Sequence, residues 1–190
     1  MINGQGRWLL GGGIGSGKSA VRALLERSGL ETIDADSIGH EISEPDGAAF
    51  GQVAERWPLV VIDGRIDRKA LGAIVFDDRE ELDALEEITH PHIFGTIERL
   101  VQGIDDVVIV ETPLLRPAMK GGWRRIVVYC DDSTRLDRLS ERGMSSADAE
   151  SRMRSQPSRS EWLAAADLVV PNHGSLEELA STVGQLSGEV

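Results

Sequence analysis

Residues 12–19 read Gly-Gly-Ile-Gly-Ser-Gly-Lys-Ser and match the pattern G-x-x-x-x-G-K-[ST] in full. That pattern binds phosphate groups when it lies between a strand and a helix. Both neighbours are predicted here, because residues 7–10 are typical of a short strand and residues 18–28 have the pattern of a helix that ends at Gly29. The glycines let backbone N–H groups converge on phosphate oxygens, and the helix N-terminus adds its dipole. The stretch therefore predicts a phosphate-binding loop after the first strand.

The polar side chains of this loop have distinct expected roles. Lys18 reaches the β- and γ-phosphates of a nucleoside triphosphate, and the Ser19 hydroxyl is placed to bind Mg²⁺. Because glycine makes up only about 7% of an average sequence, a chance match between a strand and a helix is rare. We therefore expect this loop to bind a nucleoside triphosphate together with Mg²⁺. The residues expected to contact the nucleotide here are Gly13, Ile14, Gly15, Ser16, Gly17, Lys18, Ser19 and Ala20.

Composition narrows the class of protein. The chain has 190 residues, of which 41% are hydrophobic, and this is typical of one globular unit with a substantial core. A formal net charge of −12 argues against nucleic acid as the main partner. The sequence has no long uncharged apolar stretch of the kind that would predict a membrane span. Its first residues do not resemble a signal peptide. The single cysteine, Cys130, favours a packing role and a reducing cytoplasm.

Further strands and helices alternate along the chain. The remaining strands are predicted at 30–33, 107–110, 125–129 and 168–170. Helices are predicted around 68–76, 79–89 and 92–102, within 131–166, and over 176–186 after a capping box of Ser175 and Glu178. Strands separated by helices predict an α/β fold with three layers, α/β/α, around a parallel sheet.

The spacing of the strands indicates how the chain is divided. The gap of roughly 70 residues between the second and third strands is far longer than a crossover needs, so it holds an inserted helical subdomain at 37–102. Breaks between its helices are predicted at Pro45, Pro58, Asp63-Gly64 and Pro91. The arginine-rich residues 131–160 form a second, smaller excursion. The nucleotide-binding core is then expected at 1–36, 103–130 and 161–190.

Three carboxylates are predicted at the carboxyl edge of the sheet, where ligands bind. Asp34 and Asp36 close the second strand, and their spacing places both on one side of an extended chain. One of them is a candidate for accepting the proton when a hydroxyl attacks a phosphoryl group, although Asp36 is alternatively the N-cap of a helix starting at Ser37. Glu111 ends the third strand and is a candidate for binding Mg²⁺ through water. The alternative for Glu111 is a solvated strand end.

Arginines and histidines give weaker signals. Arg138 and Arg142 are four residues apart on a predicted helix, so they share a face and are candidates for clamping one phosphate. We interpret the other arginines of this region as ion-pair partners of neighbouring acids. His40 lies one turn after Asp36 and faces the same side. His90 and His92 flank Pro91, but with no cysteine or third histidine near them they do not predict a metal site.

Several blocks together resemble the dephospho-coenzyme A kinase family, in that family's order. The matching blocks are GGIGSGKS, IDADSIGHEISEP, DGRIDRKALGAIVF, LEEITHPHI, TPLL and SQPSRSEWLAAADLVVPNHGSLEEL. Many kinases share the first block, whereas the combination of the others is much more specific. The resemblance implies a P-loop NTPase fold and transfer of the γ-phosphoryl of ATP to the ribose 3′-hydroxyl of dephospho-CoA, in a monomer or weak homo-oligomer.

The resemblance also implies roles for individual residues. Asp36 would be the catalytic base, and Lys18 and Arg142 would complete the catalytic set. Residues 37–102 would bind the CoA substrate, and residues 131–160 would form a helical lid over ATP. Arg138 and Asn172 would bind the nucleotide, with Asn172 in the loop under the adenine. The residues implied in substrate binding are Asp34, Asp36, His40, Arg68, His90, Pro113 and Leu114.

The chain departs from the family pattern at a few positions. Gly11 replaces a usual threonine, Arg116-Pro117 replaces Phe-Glu, and Pro171 replaces a common acidic residue. Lys18, Ser19 and Asp36 are kept, so we expect an active enzyme. One alternative is another small-molecule kinase of the shikimate type, which would leave the DRKAL and THPHI blocks unexplained. The other is a nucleotide-binding protein without transfer activity; a GTPase would need an N-K-x-D motif that is missing here.

Overall fold

In the computed structural model, residues 2, 6–75 and 78–188 are described. The strands are β1 (Gly6–Gly11), β2 (Glu31–Asp34), β3 (Val61–Ile62), β4 (Arg65–Ile66), β5 (Val107–Glu111), β6 (Arg124–Tyr129) and β7 (Leu168–Pro171). The helices are α1 (Lys18–Arg27), α2 (Ala35–Glu41), α3 (Phe50–Arg56), α4 (Arg68–Val75), α5 (Arg79–Gln102), α6 (Asp132–Glu141), α7 (Ser146–Ser155), α8 (Arg159–Ala164) and α9 (Leu176–Ser187), with a 3₁₀ turn at Pro58–Val60. The chain forms two compact units, one running to Asp34 and again from Ile104, the other spanning Ala35–Gly103.

The first unit is built on a five-stranded parallel sheet in the order β2-β5-β1-β6-β7. All five residues of β5 are buried, as expected for a central parallel strand with both faces covered. Helices α1 and α9 pack on one face through Val21, Leu25, Leu179 and Val183. The predicted α/β class, the five strands and the capping box of α9 are confirmed.

Strand register sets which side chains meet at the carboxyl edge. Asp34 of β2 lies opposite Glu111 of β5, and Glu111 lies opposite Leu10 of β1. The phosphate loop leaves β1 directly after Gly11. Two acidic strand ends therefore lie beside the start of the loop.

The second unit differs from prediction at two places. Pro91 was expected to separate two helices, but α5 runs unbroken from Arg79 to Gln102. That prediction was wrong because proline removes only one backbone donor, while this long helix is capped by Asp78 and buries Phe94 and Ile97. The unpredicted β3–β4 hairpin turns at Asp63 and Gly64, both with positive φ. Residue 76, the last of the predicted helix 68–76, lies outside the described residues.

The stretch predicted as helical from 131 to 166 is divided into α6, α7 and α8. Gly143, with a φ of 83°, follows the end of α6, and Ser145 and Ser158 cap the two helices that follow. Among the described residues, no helix combines the length and apolar character needed to cross a lipid bilayer.

Candidate active site

The phosphate loop connects β1 to α1 in a conformation that requires glycine. Gly17 is the N-cap of α1 and has a φ of 97°, in the left-handed region that other residues rarely adopt. A side chain there would also collide with the amide of Asn172. The ammonium group of Lys18 donates hydrogen bonds to the carbonyl oxygens of Gly12, at 3.0 Å, and Gly13, at 3.5 Å. Its positive charge is therefore held over the loop backbone.

Ser19 and Glu111 are joined directly. The Ser19 hydroxyl donates to Glu111 Oε1 at 3.0 Å, and Arg22 Nε donates to Glu111 Oε2 at 2.7 Å. Glu111 is only 8% exposed, so the alternative of a solvated strand end is wrong. Arg22 also lies 3.5 Å from Asp34 Oδ2. A hydroxyl and two carboxylates thus meet where the loop enters its helix.

These groups fit Mg²⁺ by their chemistry. Hydroxyl and carboxylate oxygens are the ligands that Mg²⁺ prefers. Within the part of the chain that the structure describes, no group of three or more His, Cys, Asp or Glu residues is arranged to hold a metal. Sites of this type usually combine one or two protein oxygens with substrate phosphates. The arrangement of Ser19, Glu111 and Asp34 is therefore suited to a metal that binds together with a nucleotide.

The surroundings of Arg22 favour the charged form of its guanidinium group on balance. Burial lowers the pKa of Arg22, but the hydrogen bond to Glu111 and the charges of Glu26, Glu111 and Asp34 outweigh burial and raise the pKa above its ordinary value. Sequence reasoning missed Arg22. The available signal was its position three residues after Ser19, on the same face of α1.

Arg138 and Asn172 both bind the loop backbone at Ser16. Asn172 Nδ2 donates to the Ser16 carbonyl at 2.8 Å, and Arg138 Nη1 donates to the same oxygen at 3.4 Å. Arg138 Nη2 also donates to Asn172 Oδ1 at 3.2 Å. Arg138 Nη1 also lies 3.6 Å from the sulfur of Cys130. Cys130 is buried, as expected, and burial raises the pKa of its thiol. The two predicted nucleotide-binding residues therefore meet each other and the loop.

Two further residues hold the tip of the loop at Ile14. Gln156 Oε1 accepts a hydrogen bond from the Ile14 N–H at 2.7 Å, and Arg135 Nε donates to the Ile14 carbonyl at 2.8 Å. Arg135 was interpreted as an ion-pair residue of the surface; it does pair with Asp132, but its side chain is only 13% exposed. Its position three residues before Arg138 was the signal that could have identified it. Gln156 lies in the block SQPSRSEW that resembles the family, and that was the signal for it, although no role was assigned to it from the sequence.

Arg142 follows the last residue of α6, four positions after Arg138. It is the exposed C-cap of α6, whereas Arg138 is occupied by Ser16 and Asn172. Arg154, interpreted as an ion-pair residue, does pair with Glu150 at 3.3 Å.

The turn after β5 carries Pro113 and Leu114. Pro113 is exposed, and the N–H of Leu114 donates to the Thr112 hydroxyl at 3.2 Å. The Leu114 carbonyl accepts a hydrogen bond from Arg125 Nη1 at 3.4 Å. Burial lowers the pKa of Arg125, while the charge of Asp167 opposes this effect. The turn is therefore attached to a buried arginine of β6.

The second unit contains four predicted site residues. Asp36 and His40 are exposed on α2, which begins at Ala35. The expectations that Asp36 shares an extended segment with Asp34, or caps a helix from Ser37, were wrong because the chain is already helical at Ala35. Arg68 pairs with Glu44 at 3.4 Å. His90 is half-buried against the Phe94 ring; burial lowers its pKa, which the charge of Glu86 opposes.

Comparison with known proteins shows that the chain is similar to dephospho-CoA kinases over most of its length. Residues 9–178 match the family model for dephospho-CoA kinase. A dephospho-CoA kinase from Streptomyces avermitilis is 41% identical over 184 residues, covering 93% of this chain and 90% of that protein. A dephospho-CoA kinase from Chromobacterium violaceum is 40% identical over 177 residues, covering 90% of this chain and 87% of that protein.

Solved structures agree in fold over nearly the whole chain. The crystal structure of TT1252 from Thermus thermophilus has a TM-score of 0.83 at 30% identity and covers 99% of both chains. Dephospho-CoA kinase from Campylobacter jejuni has a TM-score of 0.71 at 28% identity and covers 96% of both. Shikimate kinase from Acinetobacter baumannii, at 16% identity, covers 96% of this chain and 92% of its own with a TM-score of 0.51, and shares the fold alone. With a family model matched over most of its length and relatives this similar, the chain belongs to the dephospho-CoA kinase family.

Proposed function

We propose that this protein transfers the γ-phosphoryl group of ATP to the ribose 3′-hydroxyl of dephospho-CoA, which yields coenzyme A. The observation that carries the proposal is the hydrogen bond from Ser19 to Glu111 beside a complete phosphate loop. It joins the residue expected to bind the metal to the acidic end of β5. A chain of the dephospho-CoA kinase family with this arrangement has the parts that phosphoryl transfer requires.

The first unit supplies the nucleotide site. The backbone N–H groups of residues 13–19 and the ammonium of Lys18 bind the phosphates, which neutralises charge that develops during transfer. A bound Mg²⁺ would offset the negative charge of the phosphates during transfer. Ser19 would hold it directly, and Glu111 through water. Arg138 and Asn172 stabilise the loop through their hydrogen bonds to the Ser16 carbonyl.

Asp36 is the proposed catalytic base. A carboxylate at this position accepts the proton of the attacking 3′-hydroxyl and orients its oxygen toward the phosphorus atom. Asp36 follows Asp34 by two residues, and Asp34 ends β2 opposite Glu111. The role rests on the family resemblance of the Asp34-Ala35-Asp36 segment.

Binding of the CoA substrate is proposed for the second unit and for the turn after β5. His40, Arg68 and His90 supply polar and charged groups, and Pro113 and Leu114 supply an apolar turn. Residues 131–160 are proposed as the lid, with Arg142 contributing charge to the transferred group. A closed lid excludes water, which would otherwise hydrolyse ATP.

We further propose that the protein works in the cytoplasm and is a monomer or a weak homo-oligomer.

The direct test is ADP release from Mg·ATP with dephospho-CoA, shikimate, adenosine or no acceptor. Stimulation by dephospho-CoA alone, with a product heavier by one phosphoryl group, is the expected result. Lys18→Ala should abolish it, while Lys120→Ala serves as the matched lysine control. Stimulation by shikimate would favour the alternative kinase. Nucleotide binding without stimulation by any acceptor would contradict the proposal.

A further inference from the structure

Arg22 makes contacts that the proposed roles leave unexplained. It lies three residues after Ser19 on α1, so the two side chains share a face of the helix. Ser19 binds one oxygen of the Glu111 carboxylate at 3.0 Å, and Arg22 binds the other at 2.7 Å. Both oxygens of one nearly buried carboxylate are therefore held by a single helix face.

Arg22 also reaches two other acids. Its Nη1 lies 2.7 Å from Glu26 Oε1, and its Nη2 lies 3.5 Å from Asp34 Oδ2. Asp34 and Glu111 lie opposite each other on adjacent strands. One guanidinium group therefore lies among three carboxylates, and two of these are at the strand ends beside Ser19.

The position of these charges matters for phosphate binding. Glu111 is 8% exposed, so water screens its negative charge poorly. Uncompensated charges on Glu111 and Asp34 would repel a phosphate group bound at Ser19. Arg22 offsets that repulsion with a charge that belongs to the protein and is present whether or not a metal is bound.

We propose that Arg22 is a positioning residue that neutralises Glu111 and Asp34, so that the phosphate loop binds a nucleotide without requiring Mg²⁺ to bind first. This inference rests on the nucleotide-binding part of the proposed function. Without Arg22, the negative charge beside Ser19 is less well compensated, and a bound metal cation would offset part of it. Nucleotide binding would then depend on Mg²⁺ much more strongly.

The test is ADP binding by isothermal titration calorimetry, in excess EDTA and again in Mg²⁺. Arg22→Gln should weaken metal-free ADP binding by about tenfold or more, and binding with Mg²⁺ by less than about threefold. Arg22→Lys, which keeps the charge, should lie close to wild type in both conditions. Arg27→Gln removes a charge from an exposed position of the same helix and is the matched control. It should bind ADP as wild type does.

Two results would overturn the proposal. One is an equal loss of affinity with and without Mg²⁺, which is what a merely structural role of Arg22 would produce. The other is unchanged metal-free binding in Arg22→Gln. Adding Glu111→Gln to Arg22→Gln should recover metal-free binding, because one of the repelling charges is then removed. Absence of phosphorylated dephospho-CoA despite normal ADP binding would instead contradict the acceptor assigned under the proposed function, and would leave the Arg22 result standing.

Discussion

The side-chain amide of Asn172 donates a hydrogen bond to the backbone carbonyl of Ser16 at 2.8 Å, across 156 positions of the sequence. Asn172 follows the last residue of β7 and is only 5% exposed. Its own amide oxygen accepts from Arg138. The hydrogen bond between Asn172 and Ser16 therefore connects the end of β7, an edge strand of the sheet, to the phosphate loop.

Replacing Asn172 with alanine should weaken both folding and nucleotide binding. The Ser16 carbonyl would keep only the longer bond from Arg138, and Arg138 would lose an acceptor. We expect a loss of about 1–3 kcal/mol in the free energy of unfolding, measured in urea. Because both residues bind Ser16, the effects of Asn172→Ala and Arg138→Gln should not add. Additive effects would show that the two side chains act independently.

Gly13→Ala tests the contact of Arg135 with the loop. A Cβ at Gly13 would lie 2.5 Å from Arg135 Nη2, so the guanidinium group must leave its bond to Ile14. The expected cost is that of one lost hydrogen bond, about 1–2 kcal/mol in the free energy of unfolding. Arg135→Ala should cost a similar amount, and the double variant little more. Gly51→Ala is the control, because nothing lies within 4 Å of that position in α3, and it should be neutral or stabilising. A larger effect at Gly51 than at Gly13 would contradict this account.

Asp36→Asn should separate binding from chemistry. The amide has almost the same shape but accepts a proton poorly, so turnover should fall by about 10²–10⁴-fold. Affinity for ADP should be unchanged, as measured by calorimetry beside steady-state kinetics. Asp46→Asn, at another exposed position of the second unit, is the control. If Asp36→Asn turned over substrate at a rate comparable to wild type, Asp36 would not be the catalytic base.

His90 should make stability depend on pH. Burial holds its pKa below the ordinary value, so below about pH 6.5 the unfolded chain binds a proton more readily than the folded one. The contribution of His90 is therefore fully present above that pH and is lost as the pH falls through the folded pKa. The free energy of unfolding should decline more steeply from pH 7 to pH 5 in wild type than in His90→Asn. His92→Asn, in the same helix, controls for removal of an imidazole, and an identical slope in wild type and His90→Asn would refute the prediction.

Local patterns predicted most of the first unit. Each β-branched run became a strand, and the capping box of Ser175 and Glu178 begins α9 where expected. These features succeed because they involve neighbouring residues whose preferences the rest of the fold reinforces. Pro91 shows where local reasoning fails: burial along a long helix outweighs one missing hydrogen bond.

The sequence by itself determined the phosphate loop, the positions of the strands, the family, and the identity of Lys18, Ser19 and the acidic strand ends. The reason is that each of these features depends on a local pattern or on a set of local patterns in a fixed order along the chain. Tertiary structure alone decided what surrounds them. Arg22 meets Glu111 across 89 positions, and Arg135 meets Ile14 across 121. Such partners follow from strand order and helix packing, which bring distant residues together. A one-dimensional pattern shows that an arginine is charged, but only the packed fold shows which carboxylate or carbonyl it binds.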